Sequence, residues 1–238
     1  MDKSIQDEFI ATVSHELRTP LTSIRGFSQT LLNSWDKIDD DSKKKFIKII
    51  EEQSNRLIHL VENVLSVSKM NAEKDVLKKI DVNKIITDII PMFVEQYKTR
   101  KFELVLDRNL PCSRLDEGKI QQIMTNLIDN AAKYSFDGKV VKISTQVLQN
   151  DILIKVHDEG VGIKDADRDK VFKKFSRLEN HLTSTTQGNG LGLYITKELV
   201  EKMSGTIDFT SSENKGTTFE VRFPIYNQEE ALRCSRMS

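Results

Sequence analysis

Cysteine, net charge and long apolar runs are what this sequence has little of, and each absence excludes a class of protein. The two cysteines, Cys112 and Cys234, lie too far apart to match a metal-binding spacing or a disulfide framework, so we expect two free thiols in a reducing cytosol. No apolar run approaches the roughly 18 residues of a membrane span, and the N-terminal residues lack the apolar core of a signal peptide. Lys+Arg and Asp+Glu both number 36, so charge favours neither nucleic acid nor an anionic membrane as a partner. We therefore expect a cytoplasmic chain, or the cytosolic part of a longer protein, with no nucleic-acid partner and no direct membrane contact.

Two long helices are predicted in the first third of the 238 residues. From about residue 5 to residue 32 apolar residues recur at helical spacing, and a second apolar seam runs from Phe46 to Val67. Further apolar residues at Ile49, Val61 and Leu65 widen that seam beyond what one partner helix would cover. We therefore expect a helical hairpin whose remaining apolar surface is buried in a four-helix bundle made by two chains, a homodimer.

A change of composition after Met70 indicates a second domain. The segment NAEKD has the composition of a linker, and the chain beyond it mixes short β-rich runs with helical patterns. The expected fold class is α+β, a helical hairpin followed by an α/β sandwich with one sheet face covered by helices. We place the domains at residues 1–72 and 73–226, with a flexible tail at 227–238. Helices are predicted near 83–98, 116–134, 165–178 and 190–204, and strands at LKKIDV, KFELVLD, KVVKISTQVL, DILIKVHD, GTIDFTSS and GTTFEVRFPI.

The stretch VSHELRTP places a histidine on the outer face of the first helix. His15 lies roughly 160° around the helix from the apolar residues two positions before and after it. Pro20 cannot donate to the carbonyl of Glu16, so the helix should bend just after the histidine. A neutral imidazole is a nucleophile near neutral pH, and the Glu16 carboxylate is placed to hold one ring nitrogen while the other attacks. The alternative is a solvated surface histidine without a function.

The helical stretch NLIDNAAKYS carries a polar face. Asn126, Asn130 and Lys133 lie within about 60° of one another, with Tyr134 at the edge and apolar residues opposite. Amide oxygens suit a hard cation such as Mg²⁺ and lysine suits phosphate, so this face could bind a nucleotide. An ordinary solvated helix face is the alternative.

The strand DILIKVHD ends with a carboxylate at an inward-facing position. Every second residue before it is apolar and points toward the core, and Asp158 follows on the same side. A buried carboxylate needs a donor, which an adenine amino group would supply, while Gly160 and Gly162 would let the backbone approach a flat ligand closely. A buried aspartate that caps a turn is the alternative.

A glycine cluster opens the last predicted helix. Gly188, Gly190 and Gly192 stand where backbone N–H groups and the helix dipole together make a phosphate cradle, although their spacing is neither the Rossmann fingerprint nor the P-loop. The polar, unpatterned ENHLTSTTQ before them is typical of a mobile lid. Alone, such a cluster is weak support for a phosphate site.

Together these motifs resemble the catalytic core of the bacterial sensor histidine kinases of two-component systems. VSHELRTPL resembles the H box of that family, NLIDNAAKYS its N box, DEGVGI its first glycine box, VFKKFSRL its F box and GNGLGL its second glycine box. The five motifs occur in the order usual for that family, and the resemblance covers nearly the whole chain. The resemblance implies a dimeric phosphotransfer hairpin and an ATP-binding domain of the Bergerat (GHKL-like) type.

The resemblance also implies a role for each candidate residue. His15 would accept the γ-phosphoryl group of ATP, Glu16 would orient or deprotonate its imidazole, and Thr19 would position water for the reverse reaction on the response regulator. In the ATP site, Asn130 would hold Mg²⁺, Asn126 would lie near the metal and phosphates, and Lys133 and Tyr134 would contact the nucleotide. Asp158 would bind adenine, and Arg177 would reach the terminal phosphate. The remaining candidates are glycines and one leucine: Gly160, Gly162 and Leu193 in the pocket, and Gly188, Gly190 and Gly192 as hinges of the lid.

These roles predict a protein kinase that uses ATP and Mg²⁺ to phosphorylate its own histidine in a homodimer. The phosphoryl group would then pass to an aspartate of a cognate response regulator, toward which the same protein would also act as a phosphatase. Two alternatives stay open. One is a dedicated phosphatase or scaffold with weak autokinase activity, and the other is a non-kinase ATPase of the same nucleotide-binding fold.

Overall fold

The computed structural model describes residues 3–69, 76–176, 178 and 189–225, with the backbone alone at 3–9 and 69. The chain divides at about residue 71 into two compact units. No helix in the described ranges is long and apolar enough to cross a membrane. The predicted linker NAEKD and the predicted tail at 227–238 lie outside the described residues.

The first unit is a helical hairpin, as predicted. α1 spans Lys3–Ser34, a 3₁₀ turn covers Trp35–Lys37, and α2 spans Asp40–Lys69. The carboxylate of Asp39 caps α2 by accepting from the hydroxyl and the backbone N–H of Ser42 at 2.7 and 2.8 Å. These two bonds stabilise the ionised carboxylate and hold the pKa of Asp39 below its ordinary value.

The hairpin buries only part of its apolar surface. Leu31 and Leu60 are buried, and the rings of Phe27 and Phe46 meet between the two helices with centroids 5.1 Å apart. Leu32, in contrast, is 82% exposed. The other large apolar side chains that stay exposed on the hairpin are Ile10, Leu21, Trp35, Ile47, Ile58, Val61 and Leu65. One hairpin therefore leaves apolar surface uncovered, as the width of the second seam predicted.

Pro20 lies inside α1 without ending it. The helix continues well beyond the proline, whose side chain is buried. The hydroxyls of Thr19 and Thr22 donate one turn back, to the carbonyls of His15 and Arg18 at 3.4 and 2.9 Å. Such side-chain bonds compete with the backbone ladder and often accompany a bend. The bend expected after the histidine stays a prediction.

The described residues of the second unit form seven strands and three α-helices. The strands are β1 Lys78–Ile80, β2 Lys101–Leu106, β3 Ser113–Leu115, β4 Val140–Leu148, β5 Asp151–Asp158, β6 Thr206–Ser212 and β7 Gly216–Pro224. The helices are α3 Val82–Gln96, α4 Glu117–Tyr134 and α5 Gly192–Lys202. The main sheet has the order β2-β4-β5-β7-β6, with β2 parallel to β4 and the other neighbours antiparallel. β1 and β3 form a separate antiparallel pair.

The core of this unit lies between α4 and the main sheet. Ile123 and Leu127 on the apolar face of α4 are fully buried. Toward the end of β5 the burial alternates, with Ile154 and Val156 buried and Lys155 and His157 half-exposed. Asp158 continues this series on the buried side. The predicted helix-covered sheet is therefore confirmed, with a carboxylate at the end of its central strand.

Aspartates cap both long helices of the second unit. Asp81 accepts from the backbone N–H of Lys84 at 3.1 Å, and Asp116 accepts from the backbone N–H of Lys119 at 3.1 Å. Each cap satisfies one of the donors that the first turn of a helix leaves free. α3 and α4 therefore begin within one residue of their predicted starts.

The helix predicted at 165–178 was wrong. The structure has a 3₁₀ helix at Asp165–Lys170 followed by turns, and Phe175 has a positive φ of 57°. A residue in that left-handed region cannot continue a right-handed helix. The ring of Phe172 packs edge-on against Phe209 of the sheet at 5.9 Å, so aromatic packing holds the segment in place of helical periodicity.

The expectation of two free thiols was also wrong, because Cys112 is disulfide-bonded. That expectation used the separation of the cysteines along the chain. Separation in sequence does not limit the distance between two residues in a fold, and that distance decides whether a bond can form.

Candidate active site

The candidate phosphoacceptor lies on the outer face of α1. His15 is exposed, as its helical phase predicted. Thr19, one turn later, is exposed as well, and its hydroxyl donates to the His15 carbonyl at 3.4 Å. The imidazole and the threonine therefore share a solvent-facing patch that another macromolecule could reach.

Glu16 turns away from this patch and joins the two helices of the hairpin. Its carboxylate accepts from the guanidinium of Arg56 on α2 at 3.2 Å, and the side chains are 29% and 23% exposed. Sequence reasoning missed Arg56, since nothing in its local pattern distinguishes it from other charged residues of α2. A role for Glu16 on the imidazole requires this ion pair to open.

Asn126 ties α4 to the start of α5. Its amide nitrogen donates to the hydroxyl of Thr196 at 2.7 Å. Its amide oxygen occupies the space that a side chain at Gly192 would need, since a Cβ added there would lie 2.3 Å from that oxygen. The structure thus brings the N-box stretch and the second glycine stretch together in space.

Three further candidates follow Asn126 along α4. Asn130, Lys133 and Tyr134 are half-buried, and Nζ of Lys133 lies 2.5 Å from the carboxylate of Asp129. The amide oxygen of Asn130 suits a hard cation. Among the described residues no group of three or more His, Cys, Asp or Glu side chains could hold a metal ion. A Mg²⁺ ion at Asn130 would therefore take most of its ligands from phosphate and water, which is its usual preference.

Asp158 is the buried acid of the site. Its side chain is 4% exposed, and Oδ1 has no hydrogen-bond partner among the described residues. Burial raises the pKa of Asp158 to about 7, although the backbone groups of Thr217 and Gly160 that bond to it oppose the rise. A buried oxygen without a donor has a desolvation cost that a ligand N–H group would remove. The arrangement fits the exocyclic amino group of adenine.

Two glycines next to Asp158 hold the backbone in contact with neighbouring segments. A Cβ at Gly160 would lie 1.9 Å from the carbonyl oxygen of Tyr134, and one at Gly162 would lie 2.0 Å from that of Ser212. Gly162 also has a positive φ of 66°. Both positions therefore require glycine for the packing of the backbone.

Ser135 was missed by the sequence analysis. It is fully buried, its backbone bridges to Gly160, and its hydroxyl has no partner among the described residues. Ser135 Oγ and Asp158 Oδ1 are the two buried side-chain atoms left without a hydrogen bond in the described chain. The available signal was its place as the last residue of NLIDNAAKYS, directly after the polar helix face. A polar ligand group or water that reaches the Ser135 hydroxyl would satisfy it.

The start of α5 resembles a phosphate site in its backbone. The helix begins at Gly192 after Leu191, whose apolar side chain cannot cap it, so the first-turn N–H groups are available to an anion. Leu193 lies half-buried in that first turn. Gly190 has a positive φ of 67°, and a Cβ there would lie 2.6 Å from the backbone of Phe175. The candidates Arg177 and Gly188 lie outside the described residues.

Comparison with known families matches both units. Residues 5–73 match the family described as "His Kinase A (phospho-acceptor) domain". Residues 115–227 match the family described as "Histidine kinase-, DNA gyrase B-, and HSP90-like ATPase". The chain belongs to the bacterial sensor histidine kinases. His15 lies in the first matched segment of this histidine kinase core, and the candidate nucleotide residues all lie in the second.

Curated relatives of the histidine kinase core include the sensor histidine kinase WalK of Bacillus subtilis, 37% identical over 94% of this chain and 37% of that protein. A sensor protein kinase WalK of Staphylococcus aureus is 36% identical over 91% of this chain and 53% of that protein. The chain thus spans between about a third and about half of the length of these relatives.

Solved histidine kinases share the fold. The Acinetobacter baumannii histidine kinase AdeS is 27% identical, with a TM-score of 0.71 over 90% of this chain and 98% of that chain. Full-length ShkA in complex with AMPPNP is 25% identical, with a TM-score of 0.66 over 91% of this chain and 45% of that chain. The histidine kinase ThkA in complex with the response regulator protein TrrA is 24% identical, with a TM-score of 0.73 over 93% of this chain and 62% of that chain.

Proposed function

We propose that this chain is a kinase core that transfers the γ-phosphoryl group of ATP to His15 within a homodimer and then to an aspartate of a cognate response regulator. The observation that carries the nucleotide part is the buried Asp158 carboxylate with an unpartnered oxygen. Exposed His15 on a helical hairpin is the acceptor, in the segment that matches a phospho-acceptor family. The ThkA complex contains a response regulator protein, and we extend that class of partner to this chain.

The nucleotide would lie between α4 and the start of α5. Asp158 accepts the adenine amino group through its unpartnered oxygen. Asn126 and Gly192 bring α4 and α5 close enough for the N–H groups of α5 to bind phosphate while Lys133 supplies a positive charge. Asn130 would hold Mg²⁺, and the ion would neutralise phosphate charge when bound. We also assign Arg177 to the terminal phosphate and Gly188 and Gly190 to the lid, as the family resemblance implies.

The transfer requires a neutral imidazole. One ring nitrogen of His15 attacks the γ-phosphorus, an N–P bond forms, and the bond to the bridging oxygen breaks with its electron pair leaving on ADP. The ring proton passes to Glu16 once the carboxylate has left Arg56. In the reverse function, the exposed hydroxyl of Thr19 positions a water molecule that attacks the phosphorylated aspartate of the response regulator.

The homodimer would cover the exposed apolar side chains of the hairpin. Val61 and Leu65 on α2 are both exposed in the single chain. The sequence predicted that one partner helix would leave these two side chains uncovered. A four-helix bundle from two hairpins is the common way to bury such a surface. We also propose that the first domain ends at residue 72 and the second at residue 226.

Incubation of the purified protein with γ-labelled ATP and Mg²⁺ tests the proposal. Acid-labile, alkali-stable label should appear on the parent, vanish in His15→Ala and persist in His59→Ala, a second exposed histidine of the hairpin that pairs with Glu62. Label should then transfer to a purified response regulator. Label that survives in His15→Ala would show that the acceptor is wrong.

The same assay separates the alternatives. ATP binding without any label in the parent, together with loss of phosphate from a phosphorylated response regulator, would favour the dedicated phosphatase. Phosphate released from ATP to water, with no labelled protein, would favour a non-kinase ATPase. The match of residues 5–73 to a phospho-acceptor family is the observation against that second alternative.

A further inference from the structure

A hydrogen-bonded chain of three side chains reaches the nucleotide face of α4 from outside both matched family segments. Tyr97 ends α3, and its hydroxyl donates to Oδ1 of Asp129 at 2.6 Å. Oδ2 of the same carboxylate lies 2.5 Å from Nζ of Lys133. Each oxygen of Asp129 is therefore committed to one partner.

The three groups lie at one end of the polar face described for α4. Around the helix axis, Asn130 lies about 40° to one side of Asn126 and Lys133 lies about 20° to the other side. Asp129 lies about 40° beyond Lys133. Asp129 thus borders the face on the side opposite Tyr134. The carboxylate can hold the ammonium group at the edge of the site while the face itself stays open to a ligand.

Partial burial makes the arrangement stronger than a surface ion pair. The side chains of Asp129 and Lys133 are 24% and 27% exposed. Two other helical pairs of the same spacing in the described part of this unit are more exposed, Lys84 with Asp88 at 73% and 62% and Lys197 with Glu201 at 42% and 54%. Burial and the neighbouring Asp129 keep the pKa of Tyr97 well above its ordinary value, so its hydroxyl is a proton donor at every physiological pH. A lysine that is free to rotate would lose more side-chain entropy on binding phosphate than one already held.

The segment that carries Tyr97 is also bonded to α4 through Arg100. Nε of Arg100 donates to the carbonyl of Ala132 at 3.0 Å, and its guanidinium also pairs with Asp137 just beyond the helix. The segment that follows α3 is therefore fastened to the C-terminal end of α4 by groups other than the tyrosine hydroxyl. Removal of that hydroxyl alone should leave the backbone of both helices in place.

We propose that Tyr97 and Asp129 are positioning residues that hold the Lys133 ammonium group at the phosphate side of the nucleotide site. The inference rests on the proposed role of Lys133 and extends it to two residues that the family resemblance did not include. Tyr97 lies between the segments 5–73 and 115–227 that match known families. The effect is a preorganised cation, which favours a ligand with phosphates over one without them.

A double-mutant cycle on the intact chain tests the inference. The affinity for AMPPNP with Mg²⁺ is measured by titration calorimetry for the parent, Tyr97→Phe, Lys133→Ala and the double variant. Tyr97→Phe should weaken binding by about threefold to tenfold, since a hydrogen bond to a charged group is involved. In the Lys133→Ala background the same change should alter affinity by less than about twofold, because the group that it positions is gone.

The affinity for adenosine distinguishes a positioning role from a purely structural one, because a structural defect would weaken adenosine binding as well. Adenosine lacks phosphate, so Tyr97→Phe and Asp129→Asn should both leave its binding unchanged while weakening that of AMPPNP. Asp88→Asn is the matched control, since it removes a carboxylate from an exposed lysine pair of the same spacing on α3. It should change neither affinity.

Several outcomes overturn the inference. They are an unchanged AMPPNP affinity in Tyr97→Phe, an equal loss with and without Lys133, an equal loss for adenosine, and an equal loss in Asp88→Asn. An unchanged affinity in Lys133→Ala would remove the role proposed for Lys133 and the inference with it. Retained binding in Lys133→Ala with loss in Asp158→Asn would still leave the rest of the proposed nucleotide site standing.

Discussion

Glu16 and Arg56 form an ion pair of 3.2 Å between the two helices of the hairpin, one residue from the candidate phosphoacceptor. The pair competes with the role that the sequence suggested for Glu16, because the carboxylate oxygen that accepts from the guanidinium is engaged on α2. Under the proposed function, this pair must open before Glu16 can act on His15.

Arg56→Gln should raise the initial rate of autophosphorylation by about threefold, a modest electrostatic effect at a partly exposed pair. The reason is that Glu16 becomes available to accept the proton of His15. The measurement is label incorporation with time at saturating ATP. Lys48→Gln, which breaks the exposed pair with Glu52 on the same helix, is the control and should leave the rate unchanged. A rate that stays the same or falls in Arg56→Gln would contradict the prediction.

Nucleotide affinity should increase as the pH rises from about 6 to about 8. The pKa of Asp158 is raised to about 7 in the free protein, so below that value the carboxyl is largely protonated and accepts from adenine more weakly than the ionised carboxylate does. Binding therefore releases a proton at low pH, and affinity falls toward tenfold per pH unit below the pKa in the limiting case. Calorimetry of AMPPNP in buffers of different ionisation enthalpy measures both quantities.

Asp158→Asn supplies the control for this pH dependence. The amide cannot ionise, so its weaker binding should be flat over the same pH range. A parent affinity that is also flat, or a pH dependence that persists in Asp158→Asn, would assign the titration to another group.

Gly192→Ala should abolish nucleotide binding while the protein stays folded. The added Cβ would lie 2.3 Å from Oδ1 of Asn126, so the asparagine must leave its position between α4 and α5. The measurement is AMPPNP affinity together with the thermal unfolding midpoint. Gly118→Ala is the matched change in the same unit, where a Cβ makes only an ordinary 3.6 Å contact with Asp116. Binding that survives in Gly192→Ala would show that Asn126 is not needed in its present place.

Replacing Val61 and Leu65 together with lysine should convert a dimer to a monomer. Both side chains are exposed in the single chain, and charges on this stripe could not be buried in a four-helix bundle without large desolvation costs. Light scattering over a range of protein concentrations measures the mass. Glu51→Lys, a charge change at an exposed position of the same helix, is the control. A parent that is monomeric at every concentration tested would contradict the homodimer itself.

Local pattern predicted much of this protein. The spacing of apolar residues predicted the hairpin and its surplus seam, and alternation along β5 predicted that Asp158 points inward. These features follow from the fixed periods of helix and strand, which depend only on neighbouring residues. The glycine and asparagine motifs indicated the nucleotide chemistry by their residue types.

The periods of helix and strand could not predict which residues pair over long distances in the sequence. The bond of Glu16 to Arg56 and that of Tyr97 to Asp129 each depend on where distant segments meet. The segment after Lys164 took a 3₁₀ turn in place of a helix because aromatic packing on the sheet outweighed its local periodicity. The sequence by itself determined which elements form and which chemical groups the chain carries. Only the tertiary structure decided which group each charge is paired with and which polar atoms are left buried without a partner, because those outcomes depend on distance and solvent exclusion in the folded chain.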